Sequence, residues 1–246
     1  MSSSIELRCG DWREALADVG EVDALITDPP YSESTHAGQA DCRDELAYKP
    51  WTPDDVHAFV EHWAPRTRGW FVALTDEDLV PHWKAAYLRA KPKRTPFASI
   101  PIIQHAPRLQ GDGPGTCAIY AVVSRPSTRE WMRWRSLPGW YKSHRERDGI
   151  VLGAKPLELM RMLVRDYSRL GRDVVVCDPC AGGATTLLAA AIEGRRAIGA
   201  ERDPVTHAKA LARIARGYTP TLFDTTPRAA AEQADLFAAN GGGEDI

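Results

Sequence analysis

At 246 residues, with 43% hydrophobic and 26% charged, the chain has the composition of a soluble globular protein, one large domain or one domain with an insertion, able to bury a core without disulfide or metal staples. No apolar run approaches the roughly 18 residues a membrane span needs, and the Met-Ser-Ser-Ser-Ile-Glu start has no secretory character, so a cytoplasmic protein with no membrane partner is expected. A net charge of −2 excludes any case for nucleic-acid binding from global charge; local clustering alone can make one.

Taken in order, Ile5–Leu7 predicts a short strand, Cys9-Gly10-Asp11 a turn, and Trp12–Val19 a short helix. Val22–Thr27 is an apolar run that predicts a buried strand, and Asp28-Pro29-Pro30-Tyr31 ends it. Two prolines cannot donate to a ladder, and each residue before a proline is pushed out of the helical region, so Asp28 and Pro29 are expected to be extended. The result is a stiff corner at the C-terminal end of a strand, the edge of an open α/β sheet at which ligands bind. It holds a carboxylate, backbone carbonyls and an aromatic ring. These suit an exocyclic amino group on a nucleobase: Asp28 and the Pro29 carbonyl can accept its two N–H donors and aim its lone pair, while Tyr31 stacks on the base, a contact worth roughly 1–3 kcal/mol. A plain strand followed by a proline turn is the alternative.

Ser32–Pro50 is polar and predicts a loop after that corner. Thr52-Pro53-Asp54-Asp55 predicts a helix start with Thr52 as N-cap, running to Trp63. A buried strand over Gly69–Thr75, a helix over Asp78–Arg89, and strands near Phe97–Gln104 and Thr116–Val123 follow, with Ala106–Gly115 expected to be a loop by its glycines and prolines. Between Arg125 and Arg147 stand seven Arg or Lys and two Glu, interleaved with Trp131, Trp134, Trp140 and Tyr141. Basic residues mixed with aromatics are the local footprint of nucleic-acid contact, which makes Arg129, Arg133, Arg135, Lys142, Arg145 and Arg147 candidate DNA ligands; a solvated face with arginines lying over tryptophans is the alternative.

Pro156–Leu170 predicts a helix, Asp173–Cys177 a fully buried strand, and Asp178-Pro-Cys-Ala-Gly-Gly-Ala-Thr-Thr186 a glycine loop leading into a helix. A strand over Ala197–Ala200 ends at Glu201, 23 residues after Asp178, and a helix runs from Pro204 to Arg216. Strand, glycine loop, helix, strand and acid form a nucleoside-binding layout. The GxGxxG pattern of dinucleotide sites is absent, and an adenosine carrier without pyrophosphate fits better, namely S-adenosylmethionine. Together the elements predict a mixed, mostly parallel sheet with helices on both faces. The five cysteines are odd in number and scattered, which argues against a disulfide framework; Cys177-Asp-Pro-Cys180 has the spacing of a redox or metal pair but lacks a second pair, and Cys177 also reads as core.

These segments resemble the amino-group DNA methyltransferases in the beta arrangement, in which the DPPY segment precedes the cofactor loop. The resemblance covers most of the chain and rests on several motifs in order. It implies a Rossmann-like S-adenosylmethionine-dependent methyltransferase fold with permuted motif order, and S-adenosyl-L-methionine as cofactor, with no metal. Asp11 is then the acid that touches the cofactor adenine; Asp28, Pro29, Pro30 and Tyr31 are the catalytic tetrapeptide. Lys155, ahead of Pro156-Leu-Glu-Leu-Met160, stands beside the methionine moiety. Asp178, Pro179, Ala181, Gly182, Gly183 and Thr185 form the DPFxGSGTT loop, and Glu201, followed by Arg202, holds the ribose. Cys180 departs from the loop's phenylalanine, and Gly183-Ala184 from its Ser-Gly. The resemblance further implies double-stranded DNA as partner, a bacterial or phage source, and a flipped adenine, since the tetrapeptide starts with Asp. Cytosine N4 stays open, as do RNA or protein glutamine and a nucleic-acid-binding module with a decayed cofactor loop. The expected division is a catalytic half over 1–124, a target-recognition insertion over 125–150, a cofactor half over 151–217 and a flexible tail over 218–246. In that tail, Gln233-Ala-Asp-Leu236-Phe237 resembles the peptide by which bacterial enzymes dock on the sliding clamp.

Overall fold

The computed structural model describes residues 5–37, 48–110, 113–128, 136–143 and 154–217. Its elements in chain order are β1 (Ile5–Cys9), α1 (Trp12–Ala15), β2 (Ala24–Thr27), α2 (Glu33–Ala37), α3 (Pro53–Trp63), β3 (Phe71–Thr75), α4 (Val80–Arg89) and β4 (Arg94–Pro96). There follow β5 (Ile100–Gln110), β6 (Gly113–Pro126), β7 (Tyr141–Ser143), α5 (Leu157–Tyr167), β8 (Val175–Asp178), α6 (Thr185–Ile192), β9 (Arg196–Glu201) and α7 (Pro204–Arg216). Met1–Arg216 forms one compact unit. Among the described residues no helix is long and apolar enough to cross a membrane.

The strands join one mixed sheet in the order β1-β9-β8-β2-β3-β6-β5-β7, with β4 paired to β6. From β1 through β3 every neighbouring pair is parallel; β6 then runs antiparallel to β3 and β5, and β7 runs parallel to β5. A strand buried on both faces is largely apolar, as the fully buried β2 is: Ala24, Leu25 and Ile26 carry no polar group, and the Thr27 hydroxyl at its end is satisfied by donating to Asp178. Its side chains alternate across the sheet. Leu25 packs with Phe71, Phe59 and Trp63 on the face covered by α1, α3 and α4, whereas Ile26 packs with Val72, Leu163 and Leu187 on the face covered by α5, α6 and α7. Thr52 caps α3 as expected, in a reciprocal capping box with Asp55.

The chain leaves β8 toward α6 on one face and leaves β2 toward α3 on the other, although β8 and β2 are neighbours, with Ala24 opposite Val176 and Leu25 opposite Cys177. Connections that diverge from adjacent parallel strands open a crevice at their C-terminal ends. The tetrapeptide and the glycine loop stand on its two sides.

Four local expectations are corrected. Ala106–Gly115 is not a long loop, because β5 and β6 extend into it as an antiparallel hairpin, Arg108 pairing with Thr116 and Gln110 with Gly113 across shifts in register. Cross-strand pairing overrides the local glycine and proline signal there. Ser32–Pro50 is not all loop, since it begins with α2, and Trp12–Val19 yields only the four-residue α1. Finally, Tyr141 belongs to the core. It is 4% exposed in β7, and its hydroxyl donates to Asp166 at 2.8 Å, so it is no surface aromatic for nucleic acid.

Arg94 ties the centre of the sheet to its antiparallel end. It is 1% exposed and donates to the carbonyls of Thr67 (3.0 Å), Gly69 (2.5 Å) and Ser124 (3.3 Å) and to the Ser124 hydroxyl (3.0 Å). Burial pulls its pKa down to about 10, still well above neutrality. Arg94→Met keeps the apolar stem but orphans those carbonyls, and is expected to lower the unfolding free energy by about 3 kcal/mol, read from urea denaturation.

Candidate active site

A cleft of about 760 Å³ opens at the C-terminal ends of β1, β2, β8 and β9. It is lined by Asp11, all four residues Asp28–Tyr31, Lys155, Asp178, Pro179, Ala181–Gly183, Thr185, Glu201 and Arg202, so the tetrapeptide, the glycine loop and the residues that the resemblance adds to them share one cavity. Lys142 is exposed on β7 and does not line the cleft. Arg129, Arg133, Arg135, Arg145 and Arg147 lie outside the described residues, as do Gln233, Leu236 and Phe237.

On the tetrapeptide side, Asp28 is held by two donors. Tyr31 Oη donates to Oδ1 at 2.9 Å and Lys155 Nζ to Oδ2 at 2.5 Å, and the same ammonium lies 5.1 Å from the centre of the Tyr31 ring. The Asp28 side chain is 23% exposed and that of Lys155 15%, so the pair is only partly screened by solvent. Burial, and after it the Asp28 charge, raises the Tyr31 pKa well above its ordinary value and keeps the phenol a donor. The resemblance set Lys155 beside the cofactor's methionine; the structure also joins it to Asp28. Nothing in the local sequence signals a partner 127 residues away.

The opposite wall is built on the β8–β9 pair. Gly199 permits that close approach, since a Cβ there would sit 2.6 Å from the Asp178 carbonyl oxygen. Glu201 Oε2 accepts from the Gly182 amide at 2.9 Å and Oε1 from the Asp203 amide at 2.7 Å, while the Ala181 amide donates to the Ala200 carbonyl at 2.9 Å. The carboxylate at the end of β9 therefore fixes the glycine loop as well as facing the cleft. Burial raises its pKa, and the two amides oppose that rise. Gly182 takes the loop through a φ of +50°, and Ala184, fully buried, follows at +60°. At the mouth of β1, Asp11 caps α1 by accepting from the Arg13 amide at 2.9 Å.

An adenosine-type cofactor fits this wall. The Glu201 carboxylate keeps lone pairs free for ribose hydroxyls, and the Asp11–Trp12 corner gives an acid and an indole edge for a purine. Residues that sequence reasoning missed also line the cleft: His36, Tyr48, Trp51, Asp203 and Thr206. Asp203 had a legible signal, as an Asx residue three before Thr206, whose amide it accepts at 2.8 Å. Tyr48 and Trp51 lie in the connection before α3, His36 in the short α2 and Thr206 in the first turn of α7, none with a local pattern that points to a ligand.

A family model described as DNA methylase, covering N6 and N4 types, matches residues 76–211, just over half of the chain. No curated protein matches in sequence. Among solved structures, the M1.HpyAVI complex with SAM superposes with a TM-score of 0.64 at 19% identity, covering 85% of this chain and 99% of that one. A putative DNA modification methylase of Thermus thermophilus, complexed with S-adenosyl-L-methionine, gives 0.59 at 25% identity over 86% and 93%. PvuII DNA methyltransferase, described as cytosine-N4-specific, gives 0.65 at 14% identity over 96% and 93%.

Asp178 ties the two walls together. It is 1% exposed, and its Oδ1 accepts from the Thr27 hydroxyl at 2.8 Å and the Cys180 amide at 3.1 Å. Burial raises its pKa to about 6. A carboxyl whose folded pKa exceeds its unfolded one favours folding when protonated, so this contribution is complete below about pH 4 and lost as pH rises through about 6. Asp178→Asn keeps the Oδ1 acceptor and cannot ionise. Relative to the parent, its melting temperature is expected to gain between pH 4 and pH 7, measured by calorimetry across that range.

Proposed function

Because the chain belongs to the DNA methylase family of N6 and N4 amino methyltransferases, we propose that it transfers a methyl group from S-adenosyl-L-methionine to the N6 amino group of an adenine swung out of duplex DNA. The observation that carries this reading is that Asp28 and the glycine loop with Glu201 share one cleft across neighbouring strand ends. The adenine assignment rests on the tetrapeptide's starting with Asp. The N4 amino group of cytosine is the second reading, favoured by the fold likeness to a cytosine-N4-specific enzyme.

When bound, the cofactor supplies an electrophilic methyl on a sulfonium. Asp11, Glu201 and the 178–185 loop would hold it. Asp28 accepts an N–H of the exocyclic amine, which turns the nitrogen lone pair out of conjugation with the ring. In the resting site Oδ2 is taken by Lys155 Nζ, so the incoming amine shares or displaces that ammonium. Tyr31 keeps Oδ1 fixed through its hydroxyl while its ring offers a stacking face. The amine would gain positive charge on accepting the methyl group, and Asp28 would take up the proton it sheds and pass it to solvent. Orientation of this kind supplies several kcal/mol when the reacting atoms are held about 3 Å apart. Reaching the amine requires flipping, because the atom is inaccessible within the stack.

Nucleoside mass spectrometry of duplex DNA incubated with protein and cofactor tests the reading: N6-methyladenine is expected, N4-methylcytosine selects the second reading, and no modified base in DNA overturns both. Asp28→Ala is expected to cut methyl transfer by about two orders of magnitude or more while calorimetry finds cofactor affinity near that of the parent. Tyr31→Phe, which keeps the ring but loses the bond to Asp28, is expected to lose about tenfold, and a fully active variant removes the hydroxyl from the mechanism. Glu201→Ala is expected to weaken cofactor binding by about 1.5–3 kcal/mol, the scale of hydrogen bonds to a charged group.

A further inference from the structure

We infer that Asp76, one residue beyond β3, is the positioning residue of the tetrapeptide: its carboxylate gathers the backbone and hydroxyl groups that follow Tyr31 and so holds Tyr31 and Asp28 in their mutual geometry. β2 and β3 are parallel neighbours, Thr27 lying opposite Ala73, so the chain leaves both at the same edge of the sheet. Asp76 is 8% exposed there. Its Oδ2 accepts from the Ser32 amide at 2.9 Å, the Ser32 hydroxyl at 2.5 Å and the Thr35 hydroxyl at 2.6 Å, and its Oδ1 accepts from the Leu79 amide at 3.3 Å. Three of these donors come from the segment just after the tetrapeptide. Ser32, itself 7% exposed, is the residue bonded to Tyr31, and the Tyr31 carbonyl accepts from the Trp51 amide at 2.9 Å. Tyr31 is thus clamped on its C-terminal side by Asp76 through Ser32 and by Trp51.

The prolines explain why a clamp is needed. Pro29 and Pro30 have no N–H, so they offer no backbone donor by which the corner could be tied to the sheet. The first amides able to do so are those of Tyr31 and Ser32, and Asp76 takes the latter. A buried carboxylate is costly unless its lone pairs are filled by donors, and four donors fill these. Asp76 lines no part of the cleft, so it acts on the reacting atoms only through Ser32, Thr35 and Tyr31.

This inference rests on the proposed reading of Asp28 and Tyr31 as facing the base. The test measures methyl transfer from tritiated S-adenosyl-L-methionine to bacterial genomic DNA at saturating concentrations of both, alongside cofactor affinity and melting temperature. Asp76→Asn retains one acceptor oxygen, and is expected to lower kcat about tenfold or more with cofactor affinity within about twofold of the parent; Glu77→Gln, the same charge change on the exposed neighbour, is expected to leave kcat unchanged. Thr35→Val and Ser32→Ala remove the donors instead, and their losses should not add to that of Asp76→Asn, as expected for one connected unit. Should Asp76→Asn fail to fold, these two milder variants carry the kcat comparison. A kcat at parental level in folded Asp76→Asn, or in both hydroxyl variants, overturns the inference, as does a fall in cofactor affinity equal to the fall in kcat. If Asp28→Ala is inactive while the Asp76 variants are normal, the inference alone fails; if Asp28→Ala stays active, the reading of the site fails with it.

Discussion

The parallel pairing of β2 with β8 is the constraint on which the site depends. It brings together strands about 150 residues apart in the chain, and the bond from Thr27 to the buried Asp178 closes the pair at its C-terminal end. Everything chemical follows from that closure. Asp28 continues one strand and the glycine loop continues the other, and the opposite directions in which the chain departs leave a cleft between them. Neither half could present its carboxylates to a common ligand if the pair slipped, because a one-residue shift in register moves every side chain to the other face. Val176 and Cys177, and Leu25 and Ile26, each belong to a different core, which locks the register on both sides of the sheet.

Around this pair the protein solves the problem of buried polar groups in two ways. Where the backbone has spare carbonyls, as at Thr67, Gly69 and Ser124, a buried arginine answers them without a carboxylate. Where it has spare amides, as at Gly182, Asp203, Ser32 and Cys180, a carboxylate at a strand end collects them. Four acids, Asp28, Asp76, Asp178 and Glu201, stand at or just beyond the ends of four strands of the parallel half. Each organises the loop that leaves its own strand or a neighbouring one.

Much of this arrangement is legible in the sequence. The buried strands β2 and β8 are short apolar runs stopped by Asp-Pro, the Thr52 cap announces α3, and the order of strand, glycine loop, helix and strand from Asp178 to Glu201 announces one wall of the cleft. These are local signals, and local patterns persist where secondary structure satisfies itself. What the sequence hides is the partner of each charged group. Lys155 stands next to a proline before a helix, and its pairing with Asp28 exists only because the sheet joins the two halves. Tyr141, set among arginines and tryptophans, carries the composition of a surface patch, yet its place beside β5 buries it. Asp76 follows an ordinary apolar strand and looks like a turn residue until Ser32 and Thr35 are seen around it. β5 and β6 likewise outrun their glycines and prolines because each supplies the other's hydrogen bonds.

Ala184 has a consequence for how portable the glycine loop is. A non-glycine residue at φ +60° lies about 1–2 kcal/mol above its right-handed alternative when nothing around it intervenes. The conformation of 178–186 is therefore imposed by its neighbours: the Ala200 carbonyl that receives the Ala181 amide, the Glu201 carboxylate under Gly182, and the guanidinium of Arg213, which reaches from α7 to the Gly183 carbonyl at 3.0 Å and the Thr185 hydroxyl at 2.8 Å. Grafted onto a foreign strand and helix without that scaffold, the nine residues would relax to another shape, whereas a version with glycine at 184 would travel better. The same substitution means that a search keyed to glycine at this position passes over the loop, while one keyed to the handedness of the residue before the helix finds it.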